Sequence, residues 1–189
     1  MTAQLSTLLP DSTQFPAGYE AVVLPPEAAA QAAADLSGVG RGAKVQPDGC
    51  VPPAQQFGPN QTVVAVGTDN ETRATMTAEL TRTGQPLSVL RDQLKRCQQV
   101  HVNRAGATTI VTTELQAPPT IDADDTLALR RTVAPQVSAA GLTQSMQTLT
   151  GQVADVRITV TYMTFGDAKP DTAALDVLFT TAVRKVKQG

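Results

Sequence analysis

The stretch of sequence that decides the fold is Val153–Phe165, which reads VADVRITVTYMTF. Its apolar and polar side chains alternate, with Val156, Ile158, Val160 and Tyr162 on one side and Arg157, Thr159 and Thr161 on the other. This period of two is typical of a β-strand that buries one of its faces. Arg73–Arg82 alternates in the same way. Two such stretches predict a sheet with one apolar face.

Other parts of the chain also favour strands. These predicted strands are Glu20–Leu24, Thr62–Gly67, Gln99–Arg104, Thr108–Gln116, Leu127–Val133 and Ser145–Leu149. Short turns at Asp69-Asn70 and Ala105-Gly106 favour hairpins over crossover connections. The sheet is therefore predicted to be largely antiparallel.

Helical patterns interrupt the strands and follow them. Besides a short helical turn near residues 5–9, the predicted helices are Glu27–Leu36, residues 86–97 and a final helix capped by Asp171. The apolar stripe of the final helix consists of Leu175, Leu178, Phe179, Ala182, Val183 and Val186. Strands in succession with interspersed helices indicate the α+β class. We expect one domain over residues 1–189, with two or three helices packed on one face of the sheet.

The two cysteines, Cys50 and Cys97, predict a disulfide. Cys50 lies in the Gly- and Pro-rich loop 37–61, and Cys97 ends the apolar face of the helix 86–97. Two cysteines and one histidine are too few ligands for a zinc site, and a Cys-X-X-Cys pair is absent. A bond closing a loop of about 48 residues contributes roughly 4 kcal/mol in the chain-entropy model. It would tether loop 37–61 over the sheet and place the protein in an extracytoplasmic compartment.

Composition excludes several classes of protein. The net charge is −2 and aromatic residues make up 3% of the chain, so both the basic field and the stacking side chains of a nucleic-acid binder are missing. There is no run of 18 apolar residues to predict a membrane span. The first residues lack the pattern of a secretory leader. We expect a mature domain whose leader has been removed.

His101 is the only histidine, and it is the best candidate for catalysis, together with Asp122, Asp124 or Asp125. The strand pattern puts His101 on a solvent-facing side, and no Gly-X-Ser-X-Gly motif presents a nucleophile. The three aspartates could bind Ca²⁺, but the glycine and distal glutamate of a helix-loop-helix calcium site are missing. We therefore predict no catalytic residue, cofactor or metal ligand.

Three segments carry a family resemblance: Leu5–Asp11 (LSTLLPD), Phe15–Tyr19 (FPAGY) and Leu94–Cys97 (LKRC). With these segments the chain resembles mycobacterial exported lipoproteins and the extracellular sensor domains of PknH-type serine/threonine kinases. The resemblance implies a mixed sheet with helices, a groove for a ligand and no catalytic residues. The kinase sensor domains of this type carry two disulfides, whereas this chain can form one. That difference favours a stand-alone lipoprotein or secreted relative.

The leading hypothesis is a non-enzymatic domain of the cell envelope. It would bind a small or lipidic ligand, or an envelope protein, in a groove between sheet and helix. The first alternative is an envelope hydrolase with an unconventional site around His101. The second is a protein–protein interaction module that uses a strand edge or the loop 46–61. We expect a monomer that meets the membrane only through a lipid anchor attached before this chain begins.

Overall fold

A computed structural model describes residues 2–137 and 142–189. The strands are β1 Tyr19–Val23, β2 Lys44–Gln46, β3 Thr62–Asp69, β4 Thr75–Arg82, β5 Gln99–Arg104, β6 Ala107–Gln116, β7 Asp125–Pro135, β8 Gln144–Val153 and β9 Val156–Phe165. The helices are α1 Leu5–Leu8, α2 Pro26–Ser37, α3 Leu87–Arg96 and α4 Thr172–Gln188, and a 3-10 turn covers Asp48–Cys50.

The nine strands of the described residues form a single sheet in the order β1-β3-β4-β9-β8-β7-β6-β5-β2. Every pairing between the described strands is antiparallel. The predicted α+β class with a largely antiparallel sheet is confirmed, although the mixed sheet that the resemblance implied is not what these strands form. The central strands β4, β9 and β8 carry much of the large core on one face, and the smaller apolar clusters of the other face come mainly from β2, β5, β6, β7 and α3.

The stretch Val153–Phe165 is divided between two strands, where the sequence pattern predicted one. Val153 ends β8 and pairs with Val156 at the start of β9 across a two-residue turn. Ala154 in that turn has a φ of 51°, a left-handed conformation that usually favours glycine. The backbone N–H of Ala154 donates to Oδ2 of Asp124 at 2.7 Å. No glycine marks this turn, so the sequence pattern predicted a single strand across it.

Helix α4 covers one face of the sheet, packing on β9, β8 and β4. Its predicted stripe is confirmed, since all six side chains are buried: Leu175, Leu178, Phe179, Ala182, Val183 and Val186. They contact the apolar row of β9, namely Val156, Ile158, Val160 and Tyr162. Asp171 caps the helix as predicted, accepting from the backbone N–H of Ala174 at 3.0 Å. Helix α1 packs beside α4 on the same face.

The opposite face is covered by α3, the end of α2 and the segment that follows α2. Helix α3 places Leu87 and Leu94 against Leu127 and Leu129 of β7. Leu129 lies beside Thr148, on the face opposite to Val160 because successive residues of a strand point to opposite sides. The helices are therefore divided between two faces, where the sequence led us to expect one. None of the described helices is long and apolar enough to cross a membrane.

The segment 37–61 is more ordered than its composition predicted. It contains β2, which pairs with β5 at the edge of the sheet and buries Val45 against Val102. Cys50, the last residue of the 3-10 turn, is bonded to Cys97 at the end of α3. The predicted disulfide is therefore present and tethers this segment over the sheet.

Candidate functional site

A cavity lies between the sheet and the segment that the disulfide tethers. Its volume is about 230 Å³, roughly the liquid volume of eight water molecules. Its sheet side is formed by side chains of the strands β4 to β9, and its cover by α3, residues 50–55 and the end of α2. Six sheet strands and three covering segments thus meet at one half-open space.

One wall of the cavity is apolar. Leu90 and Leu94 reach it from α3, and Val100, Val111 and Leu129 reach it from the sheet. Pro52, Pro53 and the Cys50–Cys97 bond complete this wall from the cover. A wall of this kind can receive the hydrocarbon part of a small molecule.

The floor opposite the apolar wall is lined with threonines. Thr148 and Thr150 of β8 stand beside residues of β9, and the hydroxyls of Thr148 and Thr161 are 2.9 Å apart. The hydroxyls of Thr150 and Thr159 are 3.5 Å apart. A threonine hydroxyl can both donate and accept. The floor therefore offers hydrogen-bonding groups that can adapt to different ligand atoms.

Glu79 brings a carboxylate into the cavity from the middle of β4. Its Oε1 accepts from Nε2 of Gln55 at 2.9 Å and from the hydroxyl of Thr81 at 3.1 Å. Burial raises the pKa of Glu79 above its usual range, while these two hydrogen bonds and the charge of Arg157 act in the opposite direction. The bond from Gln55 also ties the tethered segment to the sheet.

Arg131 reaches the cavity from β7. Its Nε donates to Oγ1 of Thr113 at 3.0 Å, and its Nη1 donates to the carbonyl oxygen of Leu36 at 2.9 Å. Burial lowers the pKa of Arg131 to about 10, so the guanidinium carries its charge at neutral pH. The bond to Leu36 holds the end of α2 against the sheet.

Arg157 lies on β9, diagonally across from Glu79 of β4, and lines the same cavity. Its Nη2 donates to the carbonyl oxygen of Gln85 at 2.8 Å, and its Nε donates to Oε1 of Gln152 at 3.4 Å. Burial lowers the pKa of Arg157, and the charge of Glu79 raises it. The cavity thus combines one carboxylate, two guanidinium groups and an apolar wall.

The disulfide holds the cover in place. Cys50 and Cys97 have Cα atoms 5.6 Å apart, and both side chains are half-buried at the cavity wall. The sequence predicted a buried bond at this point, and the structure leaves it partly accessible. The bond fixes the segment that carries Pro52, Pro53 and Gln55 above the floor.

The structure does not bring the candidate catalytic residues together. His101 is exposed on β5, next to the edge strand, and faces Gln46 of β2 and Ile110 of β6. Ile110 pairs with Ala134, nine residues along β7 from Asp125, and this separation is about 30 Å in an extended strand. His101 and the three aspartates thus lie at opposite ends of the sheet.

Each of the three aspartates is engaged in a contact of its own. Asp122 pairs with Lys187 of α4, and Asp125 accepts from Nη2 of Arg91 at 2.7 Å. Asp124 accepts the backbone N–H of Ala154 described above. These contacts join the connection before β7 to α4, α3 and the β8–β9 turn. The described part of the chain contains no group of three or more His, Cys, Asp or Glu side chains that could hold a metal ion.

The sequence matches a protein family over nearly its whole length. The family is described as "Domain of unknown function (DUF5642)", and it matches residues 8–187. The chain belongs to this family. No curated protein matches the sequence.

Two solved structures share the fold. The extracellular domain of PknH from Mycobacterium tuberculosis is 12% identical, with a TM-score of 0.60 over 100% of this chain and 98% of that one. An uncharacterised protein from Mycobacterium smegmatis, an ortholog of Rv0999, is 20% identical, with a TM-score of 0.54 over 93% of this chain and 92% of that one. The predicted resemblance to the PknH-like group is confirmed for the fold.

The residues of the cavity floor were not identified from the sequence. The alternation in β4 and β9 assigned Glu79, Arg157 and Thr159 to the polar face of each strand, and a polar face usually meets solvent. One signal could have found them, because the polar faces of the central strands carry more threonines than longer charged side chains. The buried threonines on these polar faces and on β6 are Thr77, Thr113, Thr148, Thr150 and Thr161.

Proposed function

We propose that this protein is a non-enzymatic, sensor-like domain that binds a small ligand in the cavity beneath the disulfide-tethered segment. The observation that supports the proposal is the combination of an apolar wall with three charged side chains, Glu79, Arg131 and Arg157, around one half-open space. Binding sites for small molecules are mostly apolar with a few placed polar groups.

The size of the cavity favours a small ligand over a lipidic one. At about 230 Å³, it is smaller than the 300–1,000 Å³ typical of sites for drug-sized molecules. The Leu90–Leu94 wall can cover a short hydrocarbon body or a ring, and a long acyl chain would extend outside the cavity. A small molecule with one polar end fits this space better than an intact lipid.

A binding role agrees with the fold relatives. One of them is the extracellular domain of PknH, which belongs to the group that the sequence resembles. The separation of His101 from the aspartates also leaves the hydrolase alternative without an assembled site among the described residues. A domain that detects a ligand is the function that these observations support best.

The disulfide supports an extracytoplasmic location. Bonds of this kind form and persist in oxidising compartments and are rare in the cytosol. The Cys50–Cys97 bond is intact in the structure, and one fold relative is an extracellular domain. We propose that the protein acts in the cell envelope, as a lipid-anchored or a secreted domain.

Native mass spectrometry of protein purified from a mycobacterial host tests the binding role. We expect a retained small molecule on the unaltered protein and its loss from Leu90→Trp, because the indole would fill the cavity from α3. Val89→Trp is the matched control, since Val89 is 43% exposed on the same helix and does not line the cavity. Retention of the same mass by Leu90→Trp, or no bound mass on any of the proteins, would contradict the proposal.

A second candidate function is recognition of another protein through strand β1. This strand pairs with β3 on one side, and Val22 and Val23 are each 61% exposed. An edge strand with exposed apolar side chains can accept a further strand from a partner. A pull-down from cell-wall extract with Val22→Lys/Val23→Lys as the control would support this role if only the unaltered protein retains a partner.

A further inference from the structure

Arg131 is a charged group in the cavity without an acidic partner. The ion pairs among the described residues join other side chains, and none of them includes Arg131. Its hydrogen bonds go to a threonine hydroxyl and a backbone carbonyl, which are neutral acceptors. A half-buried cation that has lost part of its hydration is stabilised by a nearby negative charge. The cavity therefore has an electrostatic preference for an anion.

One nitrogen of Arg131 remains available. Nε is bonded to Thr113 and Nη1 to Leu36, whereas Nη2 has no acceptor among the described residues. No fully buried side-chain nitrogen or oxygen in the described part of the chain lacks a partner, so Nη2 must be accessible to solvent. Because Arg131 lines the cavity, we place this free donor at the cavity surface.

Apolar side chains lie near Arg131 on the same face of the sheet. Leu129, two residues before it on β7, points to the same face of the sheet, and Thr113 faces it across β6. Val111, two residues before Thr113, also lines the cavity. An anion held at Nη2 would therefore have its attached hydrocarbon against Leu129 and Val111.

We infer that the ligand is a small organic acid whose carboxylate binds Nη2 of Arg131 and whose apolar body packs on Leu129, Val111 and Leu94. The inference rests on the proposed function and specifies its ligand class. Arg157 also has a nitrogen, Nη1, without an acceptor among the described residues, since its Nη2 and Nε bind Gln85 and Gln152. The charge of Glu79 acts on the Arg157 guanidinium, whereas no carboxylate in the described part of the chain faces Arg131. A phosphate group usually takes several cationic donors, and the nearby carboxylate of Glu79 disfavours such a multiply charged anion, so a singly charged anion at Arg131 suits the cavity better.

Calorimetric titration with hexanoate and its neutral analogue hexanamide tests this assignment. We expect hexanoate to bind the unaltered protein at least about tenfold more tightly than hexanamide, because a hydrogen bond to a charged group contributes more than one to a neutral group. Equal affinity of the two compounds would overturn the assignment and leave the cavity as a binding site. Tighter binding of inorganic phosphate than of hexanoate would also overturn it. This comparison needs no variant and does not depend on how a mutant folds.

Two variants locate the carboxylate. Arg131→Gln should weaken hexanoate binding by at least about tenfold and leave hexanamide binding unchanged. Arg130→Gln is the matched control, because Arg130 is the adjacent residue of β7, exposed and on the opposite face, and it makes the same change in net charge. Unchanged hexanoate affinity in Arg131→Gln, or an equal loss in both variants, would overturn the role of Arg131. The mass-spectrometric test with Leu90→Trp is read independently and decides whether the cavity binds any ligand.

Discussion

Gly38 is the residue that allows α2 to end against the floor of the cavity. Its φ is 76°, and its backbone N–H donates to the carbonyl oxygen of Asp35 at 3.1 Å. A Cβ atom at this position would lie 2.7 Å from Cγ2 of Val111 and 3.0 Å from Cγ2 of Val133. Gly38 therefore serves both as a left-handed helix cap and as a close packing contact.

Gly38→Ala should lower the free energy of unfolding by about 2–4 kcal/mol, since left-handed strain and the clash with Val111 act together. Gly42→Ala is the control, because Gly42 has a φ of 72° and no atom within 4 Å of the added Cβ. That variant should lose only about 1 kcal/mol. Urea denaturation measures both values. Equal losses would show that the contact with Val111 and Val133 is unimportant.

The carboxyl group of Glu79 should make stability depend on pH. Burial raises its pKa above the ordinary value of 4.5, so the folded state holds the proton more tightly than the unfolded state. The resulting stabilisation is present below pH 4.5 and is lost as the pH rises through the folded pKa. Glu79→Gln cannot ionise, so its melting temperature relative to the unaltered protein should rise between pH 4 and pH 7.5. If the difference in melting temperature between Glu79→Gln and the unaltered protein stays constant or falls over this pH range, the account is contradicted.

Among the elements, the tethered segment determines whether the cavity has a cover. Without the Cys50–Cys97 bond, two hydrogen bonds would be the main contacts that hold residues 50–55. Gln55 donates to Glu79 at 2.9 Å, and Gln93 donates to the carbonyl oxygen of Val51 at 3.5 Å. Both contacts are exposed, and exposed hydrogen bonds contribute little net stability. The disulfide is therefore the main constraint on the cover.

Replacing both cysteines, as in Cys50→Ser/Cys97→Ser, should lower the free energy of unfolding by up to about 4 kcal/mol through loop entropy. Hydrogen exchange should become faster over residues 47–56, because the segment opens locally. Exchange in α4 under native conditions serves as the internal reference, since α4 packs on the other face. Unchanged exchange over residues 47–56 would mean that the disulfide does not hold the cover.

The elements could largely be predicted from the sequence, because period-two and helical patterns directly reflect burial. The stripe of α4 and the strands β5 and β6 lie where these patterns placed them. The β8–β9 hairpin was missed because Ala154 occupies its left-handed position. The cavity was missed because its cover comes from a segment distant in sequence. The strand pattern places Thr159 and Glu79 on a solvent-facing side, and only the fold shows that residues 50–55 cover them. Residues 138–141, before β8, lie outside the described part of the chain.

At the scale of the whole molecule, the antiparallel sheet separates two tasks. One face carries the large apolar core under α4. Burial of these apolar side chains can stabilise the domain without burying charged groups. The other face has smaller apolar clusters around Val100, Val111 and Leu129, and between them lie the polar groups of the cavity. The stability from the α4 face can therefore offset the cost of placing charged side chains in the cavity on the opposite face.

The most direct test of this account is a titration of the isotopically methyl-labelled protein with hexanoate, followed by NMR. We predict shift changes in the methyl groups of Leu90, Leu94, Val100, Val111 and Leu129, which line the cavity. The methyl groups of α4, on the opposite face, should remain unshifted. Shift changes confined to Val22 and Val23 of β1 or to the α4 face, with the cavity methyl groups unaffected, would contradict the claim that the cavity is the ligand-binding site.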